Sequence, residues 1–320
     1  VGLGRISSLY ENDRKARRYY PALTHAGTYA KHPAVKIICG ADVDKRKLED
    51  FHKMWGVDHL YSNYSKMLKN ESIDILSICT PPESHLSIIR EASKYVKTIF
   101  CEKPFTRSSS EIKEVIRLKK RRGLNIAVNL YRQYDISHNE VKAMIQNDAL
   151  GRTQRVNCYY GKGLRNMGSH VIGYLISIFG IPERVSVLGK NKFEGIDEYG
   201  YDVYFKFKKD IPVLIQNCDF NKYRLIEFDF ICEKGRIRIV DEGLTIKMFA
   251  VGSNKAETGA CQLVRKKPMF KSTIGEALCE AVNNLVRLAS GEKASSIVSP
   301  EDYLELQLLI EKIEREGRRI

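Results

Sequence analysis

The sequence predicts an α/β chain in two parts. Residues 1–128 form a doubly wound parallel sheet, and residues 129–320 form an α/β domain with a large, mainly antiparallel sheet. Three observations predict this. As far as Val128, short apolar runs bounded by turn residues alternate with helical patterns, the rhythm of a parallel sheet with helices on both faces. After Asn129, strand-like runs follow one another without helices between them, the rhythm of hairpins. At 320 residues the chain is long enough for two hydrophobic cores.

The elements follow in order. Val1-Gly-Leu-Gly-Arg-Ile-Ser7 reads as the end of a first strand and the turn after it. With most of that strand and an initiator methionine lacking, a few residues are expected upstream of Val1. Gly2-x-Gly4-x-x-Ser7 is a dinucleotide-type fingerprint with serine in the third glycine position. Its first glycine allows the tight turn, and its second lets the backbone approach a pyrophosphate. Arg5 and Ile6 lie inside it, and the next helix is expected to offer its N-terminal amides. Pro21 divides residues 8–33 into a short helix, a break near Tyr20 and a second helix over 23–31. Residues 35–41 are a strand with Asp42 at its carboxyl end. A carboxylate there suits a ribose diol and repels a 2′-phosphate. Asp42 also reads as a cap for the helix over 45–55, a job for which Asp44 competes.

A short strand at 59–61 and a helix at 64–69 lead to the buried strand 73–79. It ends in Thr80-Pro81-Pro82, and a helix containing His85 in its first turn runs to about Lys94. Ile99-Phe-Cys101 is a fifth strand, closed by Glu102-Lys103-Pro104. Pro104 keeps Lys103 out of helical angles, so an ammonium group stands at the strand's carboxyl end, the edge where open α/β sheets bind ligands. A solvated strand-end lysine is the alternative. The amphipathic helix 108–122 and the strand 124–128 complete the parallel sheet.

In the second part a helix covers 137–146 and a strand 153–159. Gly161-Lys-Gly163 is a loop, and a helix covers 166–179. Strands are expected at 185–188, 201–207, 213–218, 225–232, 236–240 and 244–249, with Glu233-Lys-Gly235 as a hairpin turn. Residues 190–200 and 251–259 read as loops. Helices over 273–289 and 300–316 close the chain. Asn166 and His170 are four apart, so both fall on one helix face. An amide and an imidazole can together hold a hydroxyl and take its proton; a capping Asn and a packed His explain the same residues.

Composition narrows the classes. Hydrophobic residues make up 43% and charged ones 29%, ordinary for a globular chain. No apolar run reaches the roughly 18 residues of a membrane span. The N-terminal stretch turns charged by Glu11, so no signal peptide is expected. The net charge is +14, which suits an anionic ligand. The basic clusters at 14–18, 119–122 and 265–267 lack the aromatic interleaving or helix-turn-helix pattern of a nucleic-acid site. The eight cysteines show no C-x-x-C spacing and sit in apolar runs, as in a reducing, cytoplasmic compartment. No metal-ligand cluster is present.

Taken together, Gly-Leu-Gly-Arg-Ile, the Asp42 strand end, Cys-Thr-Pro-Pro-x-x-His, Cys-Glu-Lys-Pro and Gly-Ser-His resemble the glucose–fructose oxidoreductase / inositol dehydrogenase (Gfo/Idh/MocA) family, in one order along nearly the whole chain. The resemblance implies an N-terminal Rossmann domain. It also implies a C-terminal α/β domain on an open antiparallel sheet, which often makes a dimer or tetramer interface. Lys103 matches the family's catalytic lysine, and His170 the histidine of its Asp-x-Gly-x-His-x-x-Asp motif. Asn166 and Gly173 stand where that motif has aspartates. Arg132 resembles a family position near the substrate.

The expectation is therefore an NAD-dependent oxidoreductase, with NAD favoured over NADP, acting on a secondary alcohol of a sugar, sugar nucleotide or cyclitol. Lys103 and His170 are the catalytic pair. Lys103, Arg132, Asn166 and His170 bind substrate. Gly2, Gly4, Arg5, Ile6, Asp42, Thr80, Pro81, His85, Glu102 and Lys103 bind the cofactor. Rival readings are a non-catalytic NAD- or sugar-binding protein and an NAD-dependent glycosidase.

Overall fold

A computed structural model describes residues 1–320. The chain divides into two compact units: residues 1–135 with 275–304, and residues 136–274 with 305–320.

The first unit alternates helix and strand: α1 (His25–Lys31), β1 (Cys39–Ala41), α2 (Lys45–Trp55), β2 (His59–Tyr61), α3 (Tyr64–Asn70), β3 (Ile75–Ile78), α4 (Pro82–Ala92), β4 (Thr98–Cys101), α5 (Ser109–Arg122) and β5 (Asn125–Val128). All pairings are parallel. The sheet stands in two pieces, β1–β2 and β3–β4–β5. The strand expected over 35–41 is bonded only from Cys39 onward. Residues 35–38 line a cavity of about 470 Å³ instead, and an extended backbone without a neighbour forms no ladder. At the carboxyl end Val1 and Gly2 tie the pieces together. Val1 N donates to Ser77 O (2.7 Å), Cys79 N donates to Val1 O (2.8 Å), and Gly2 N donates to Ala41 O (2.9 Å). β4 is buried at every position, as a central parallel strand should be.

The boundary expected at 128/129 needs correction. The first unit runs on to Asp135 and takes back residues 275–304. These include α8 (Ala277–Ala289), whose Ala277, Ala281, Val282 and Leu285 are buried. A parallel sheet is stable only with both faces covered, and α8 supplies cover that no nearer segment provides. Val128 N donates to Val298 O at 2.8 Å, which fixes the returning segment to β5.

The second unit holds α6 (Ile136–Gln146), β6 (Thr153–Tyr160), α7 (Ser169–Phe179), β7 (Arg184–Asn191), β8 (Gly200–Phe207), β9 (Ile211–Asn217), β10 (Ile226–Cys232), β11 (Gly235–Val240), β12 (Thr245–Ser253) and β13 (Cys261–Lys266). Its eight strands run in the order β13-β12-β11-β10-β6-β9-β8-β7. Every pairing is antiparallel except β6 with β9. Alternate residues of β8 and β9 are buried, the signature of a sheet packed on one face. The loop expected at 251–259 is shorter, because β12 reaches Ser253 and pairs with β13. Residues 250–253 of β12 and all of β13 hold no buried residue, so no apolar alternation marked them. α9 (Pro300–Glu316) starts in the first unit and ends in the second.

Candidate functional site

The fingerprint turn lies at the carboxyl edge of the parallel strands. Gly2 has φ +80°, and a Cβ there would lie 2.8 Å from the backbone of Cys79 and Thr80, so only glycine fits. A Cβ on Gly4 would meet nothing within 4 Å; that open space is what a closely approaching pyrophosphate needs. Ser8 N and Leu9 N donate to Gly4 O, and Tyr10 N to Arg5 O. The amides heading this helical turn, those of Arg5, Ile6 and Ser7, have no acceptor within it.

The expectation that the following helix offers its amides is corrected. In α1, His25 N donates to Ile6 O, Ala26 N to Ser7 O and Gly27 N to the Thr24 hydroxyl. α1 therefore continues the fingerprint turn, and residues 8–23 loop out between them. The buried Glu11 carboxylate closes that excursion, accepting from Leu23 N (3.0 Å) and the Thr24 hydroxyl (2.9 Å).

Asp42 is nearly buried. One of its oxygens accepts from Leu3 N (2.7 Å) and the other from Asp44 N (2.9 Å). It therefore fixes the fingerprint turn against the end of β1. The helix cap is Asp44, which accepts from Arg46 N.

Behind Lys103 lies a buried polar network. The Glu102 carboxylate meets His25 Nε2 at 2.9 Å and accepts from Asn129 Nδ2 at 2.6 Å. Its second oxygen accepts from the Lys103 amide at 3.1 Å. His25 Nδ1 lies 3.0 Å from the Ser77 hydroxyl, itself 2.6 Å from the Tyr29 hydroxyl. Burial opposes charge on His25, but the neighbouring Cys79 sulfur and the Glu102 carboxylate outweigh it and raise its pKa to about 10. Burial pushes the Glu102 carboxyl up, and His25, Asn129 and Lys103 together outweigh it, leaving it below the usual range. The pair is an imidazolium–carboxylate that anchors the backbone from which Lys103 projects. Lys103 is half-buried, and its bond to Pro104 is cis.

Thr80 and Pro81 stand at the same edge, after β3. His85, expected at the cofactor, has both ring nitrogens turned to backbone carbonyls. It is fully buried, with Nε2 2.7 Å from Thr80 O and Nδ1 2.9 Å from Phe105 O. It pins the segments on either side of the edge. Arg132 follows β5 in a tight turn and is 1% exposed. Its guanidinium lies 5.2 Å from the centre of the Tyr131 ring, and Nε and Nη1 have no hydrogen-bond partner.

In the second unit, Asn166 sits in a widened turn before α7. Met167 N and Gly168 N both donate to Gly163 O there, a π-type turn of the kind that recurs at functional sites. His170 is in the first turn of α7 and is buried. A carboxylate unseen in the sequence belongs here. Glu198 Oε2 accepts from the Asn166 amide at 3.0 Å. A Cβ on Gly163 would fall 2.1 Å from Glu198 Cβ, so the Glu198 side chain occupies the space of the missing cap side chain. Glu198 lies 32 residues from Asn166, in a loop without a pattern. Likewise His25 and Asn129 had no local signal, since only the fold brings them to Glu102.

Residues 1–130 match the model of an oxidoreductase family with an NAD-binding Rossmann fold, Gfo/Idh/MocA. The uncharacterized oxidoreductase YrbE of Bacillus subtilis is 26% identical over 151 residues, 47% of this chain and 40% of that protein. The myo-inositol 2-dehydrogenase of Thermotoga maritima is 21% identical over 152 residues, 48% of this chain and 41% of that protein. Each match thus spans less than half the length of the curated relative. The crystal structure of aldose-aldose oxidoreductase from Caulobacter crescentus, complexed with glycerol, matches with a TM-score of 0.76 at 16% identity, covering 100% of this chain and 96% of that one. At that identity the likeness is one of fold.

Proposed function

We propose that the chain is an NAD-dependent dehydrogenase acting on a CH–OH group of a sugar or cyclitol, a reading supported by the match of residues 1–130 to the model of the Gfo/Idh/MocA oxidoreductase family with its NAD-binding Rossmann fold. The observation that carries this reading is the anchoring of Lys103. Its amide is held by Glu102, and Glu102 is held by His25 and Asn129, at the edge of the sheet where ligands bind. The open space at Gly4, the amides of Arg5 and Ile6, and the Asp42 carboxylate fit a dinucleotide.

When bound, the nicotinamide supplies hydride exchange with the carbon bearing the hydroxyl. The chain's own residues bind, orient and move the proton. The Lys103 ammonium holds the substrate oxygen and stabilises charge that develops on it. His170 accepts the hydroxyl proton in the oxidation direction. Asn166 orients that hydroxyl. It cannot take a proton, and Gly173 brings no carboxylate, so His170 is the sole base of this segment. The substrates of the inositol and aldose relatives support a polyol. The eight cysteines are all free, which supports a cytoplasmic setting, and no helix is long and apolar enough to cross a membrane.

The test is Lys103→Ala, assayed with NAD and a panel of polyols and sugar acids. Turnover should fall by about 10²–10³-fold, while NADH binding, followed by fluorescence, stays within about threefold of wild type. An unchanged kcat overturns the mechanism. Asn166 and Gly173 favour one second reading, a protein that binds NAD without turnover. Tight NADH binding with no product from any substrate of the panel would select it.

A further inference from the structure

Arg132 is the side chain of the first unit whose surroundings least satisfy it. Its exposure is 1%. Nε and Nη1 have no hydrogen-bond partner, and the guanidinium lies over the face of the Tyr131 ring. A cation–π contact only partly replaces the water a guanidinium loses on burial. Lysine or histidine could escape by losing a proton; arginine cannot.

The backbone does not allow an easy retreat to solvent. Gln133 N donates to Leu130 O, and Tyr134 N to Tyr131 O. The buried Tyr134 hydroxyl donates to Val128 O at 2.9 Å and accepts from Val298 N at 3.3 Å. The turn is thus bolted to the carboxyl end of β5, beside the strand that delivers Lys103. Evolution of a buried, fixed, unneutralised guanidinium at a ligand-binding edge makes sense if the ligand brings the missing anion. The cofactor pyrophosphate is the wrong anion. Its seat is the fingerprint turn beyond β3, and two strand spacings separate β3 from β5, roughly 10 Å.

We propose that Arg132 receives an oxyanion of the substrate, so that the substrate is an acidic sugar or cyclitol, bearing a carboxylate or a phosphate, rather than a neutral polyol. This rests on the dehydrogenase reading above and adds the substrate class to it. Oxyanions pair with guanidinium through parallel N–H···O bonds, the geometry for which Nε and a terminal nitrogen are built. The net charge of +14 favours capture of such a substrate from solution.

The experiment measures binding to the full chain saturated with NADH, by calorimetry. The probes are D-glucuronate, glucose 6-phosphate and inorganic phosphate against D-glucose and myo-inositol. Wild type should bind at least one sugar acid about tenfold or more tightly than the neutral sugars. Arg132→Met should lose about 10- to 100-fold of that affinity and leave NADH affinity unchanged. Arg132→Lys should restore part of it, more for a phosphate than for a carboxylate, because ammonium is a point charge without the fork. Which acid responds separates the two sources of the oxyanion. Without ligand, Arg132→Met should melt at or above the wild-type temperature, because it removes an unsatisfied buried charge. The proposal is overturned if acids bind no better than neutral sugars, if Arg132→Met leaves acid binding intact, if the loss falls on NADH instead, or if Arg132→Met melts lower. Lys103→Ala should still bind the acid. If Lys103→Ala keeps full turnover while Arg132→Met loses the acid, the mechanism fails and the substrate class stands.

Discussion

The His25–Glu102 pair makes a prediction whose size follows from its burial. His25 keeps its proton to about pH 10 in the folded chain, against about 6.5 for an unperturbed imidazole. A group whose folded pKa is raised stabilises fully below its unfolded pKa, and that contribution is lost as pH rises through the folded one. Over that interval the folded state holds a proton the unfolded state has released. Each pH unit then costs about 1.4 kcal/mol, which integrates to on the order of 5 kcal/mol between pH 6.5 and 10. Glu102 has the opposite sign. Its carboxyl is held below the usual range, so its contribution is present above its unfolded pKa and disappears as pH falls through the folded value.

The perturbation is Glu102→Gln. Of the two groups that raise His25, the Cys79 sulfur and the Glu102 carboxylate, this substitution removes the carboxylate. Without the carboxylate, burial is opposed by less and favours the neutral imidazole more strongly. At pH 6 the variant should be less stable than wild type by about 3–5 kcal/mol, the usual cost of breaking a buried pair. At pH 10, where the wild-type imidazole is also losing its proton, the two proteins should converge. The assay is urea unfolding of wild type, Glu102→Gln and His25→Asn at pH 6, 8 and 10. A difference between wild type and Glu102→Gln that stays constant across this range would refute an ionised pair. The same variant frees the Lys103 amide, so its kcat should fall even where the protein is fully folded.

Asp42→Ala should weaken NADH binding by about tenfold, and NADPH binding by less, in parallel fluorescence titrations. A native preference for NADPH would contradict the role of that carboxylate. Glu198→Ala removes the acceptor of the Asn166 amide, an interaction of cap type worth about 0.5–2 kcal/mol. It should lower kcat on the preferred substrate with NADH affinity unchanged, and Glu198→Gln should recover much of the loss; equal kcat values in all three proteins would leave Glu198 with no part in positioning.

What could be read from residues alone was the material of continuous segments. β4 is one apolar run closed by Glu102-Lys103-Pro104, and its burial and end point follow from those few residues. The Gly2 turn was legible for the same reason, because φ +80° demands a glycine whatever surrounds it. What was not legible depends on distant segments meeting. Nothing near His25 announces that it will sit 2.9 Å from a carboxylate 77 positions away. The missed return of α8 is similar, since an amphipathic helix does not declare which sheet it covers. β13 and the last residues of β12 escaped because strands without buried residues lack the alternation that burial imposes.

These failures bear on the site itself. Lys103 and His170 stand out in the sequence because the proposed reaction restricts which residues could perform it. The residues that hold the backbone of Lys103 and of Asn166, Glu102 with His25 and Asn129 for the first and Glu198 for the second, are restricted only by geometry. A carboxylate that caps Asn166 can arrive from any loop that passes Gly163, provided position 163 has no side chain of its own. Gly163 is therefore the informative residue of that pair. A glycine at the N-cap of the turn that leads into the helix carrying a candidate base leaves a capping group to be supplied from elsewhere, and the fold supplies it with Glu198. The same logic separates Arg132 from the other candidates: Nε and Nη1 of this buried guanidinium find no hydrogen-bond partner in the chain, which is why a ligand oxyanion is proposed to complete it.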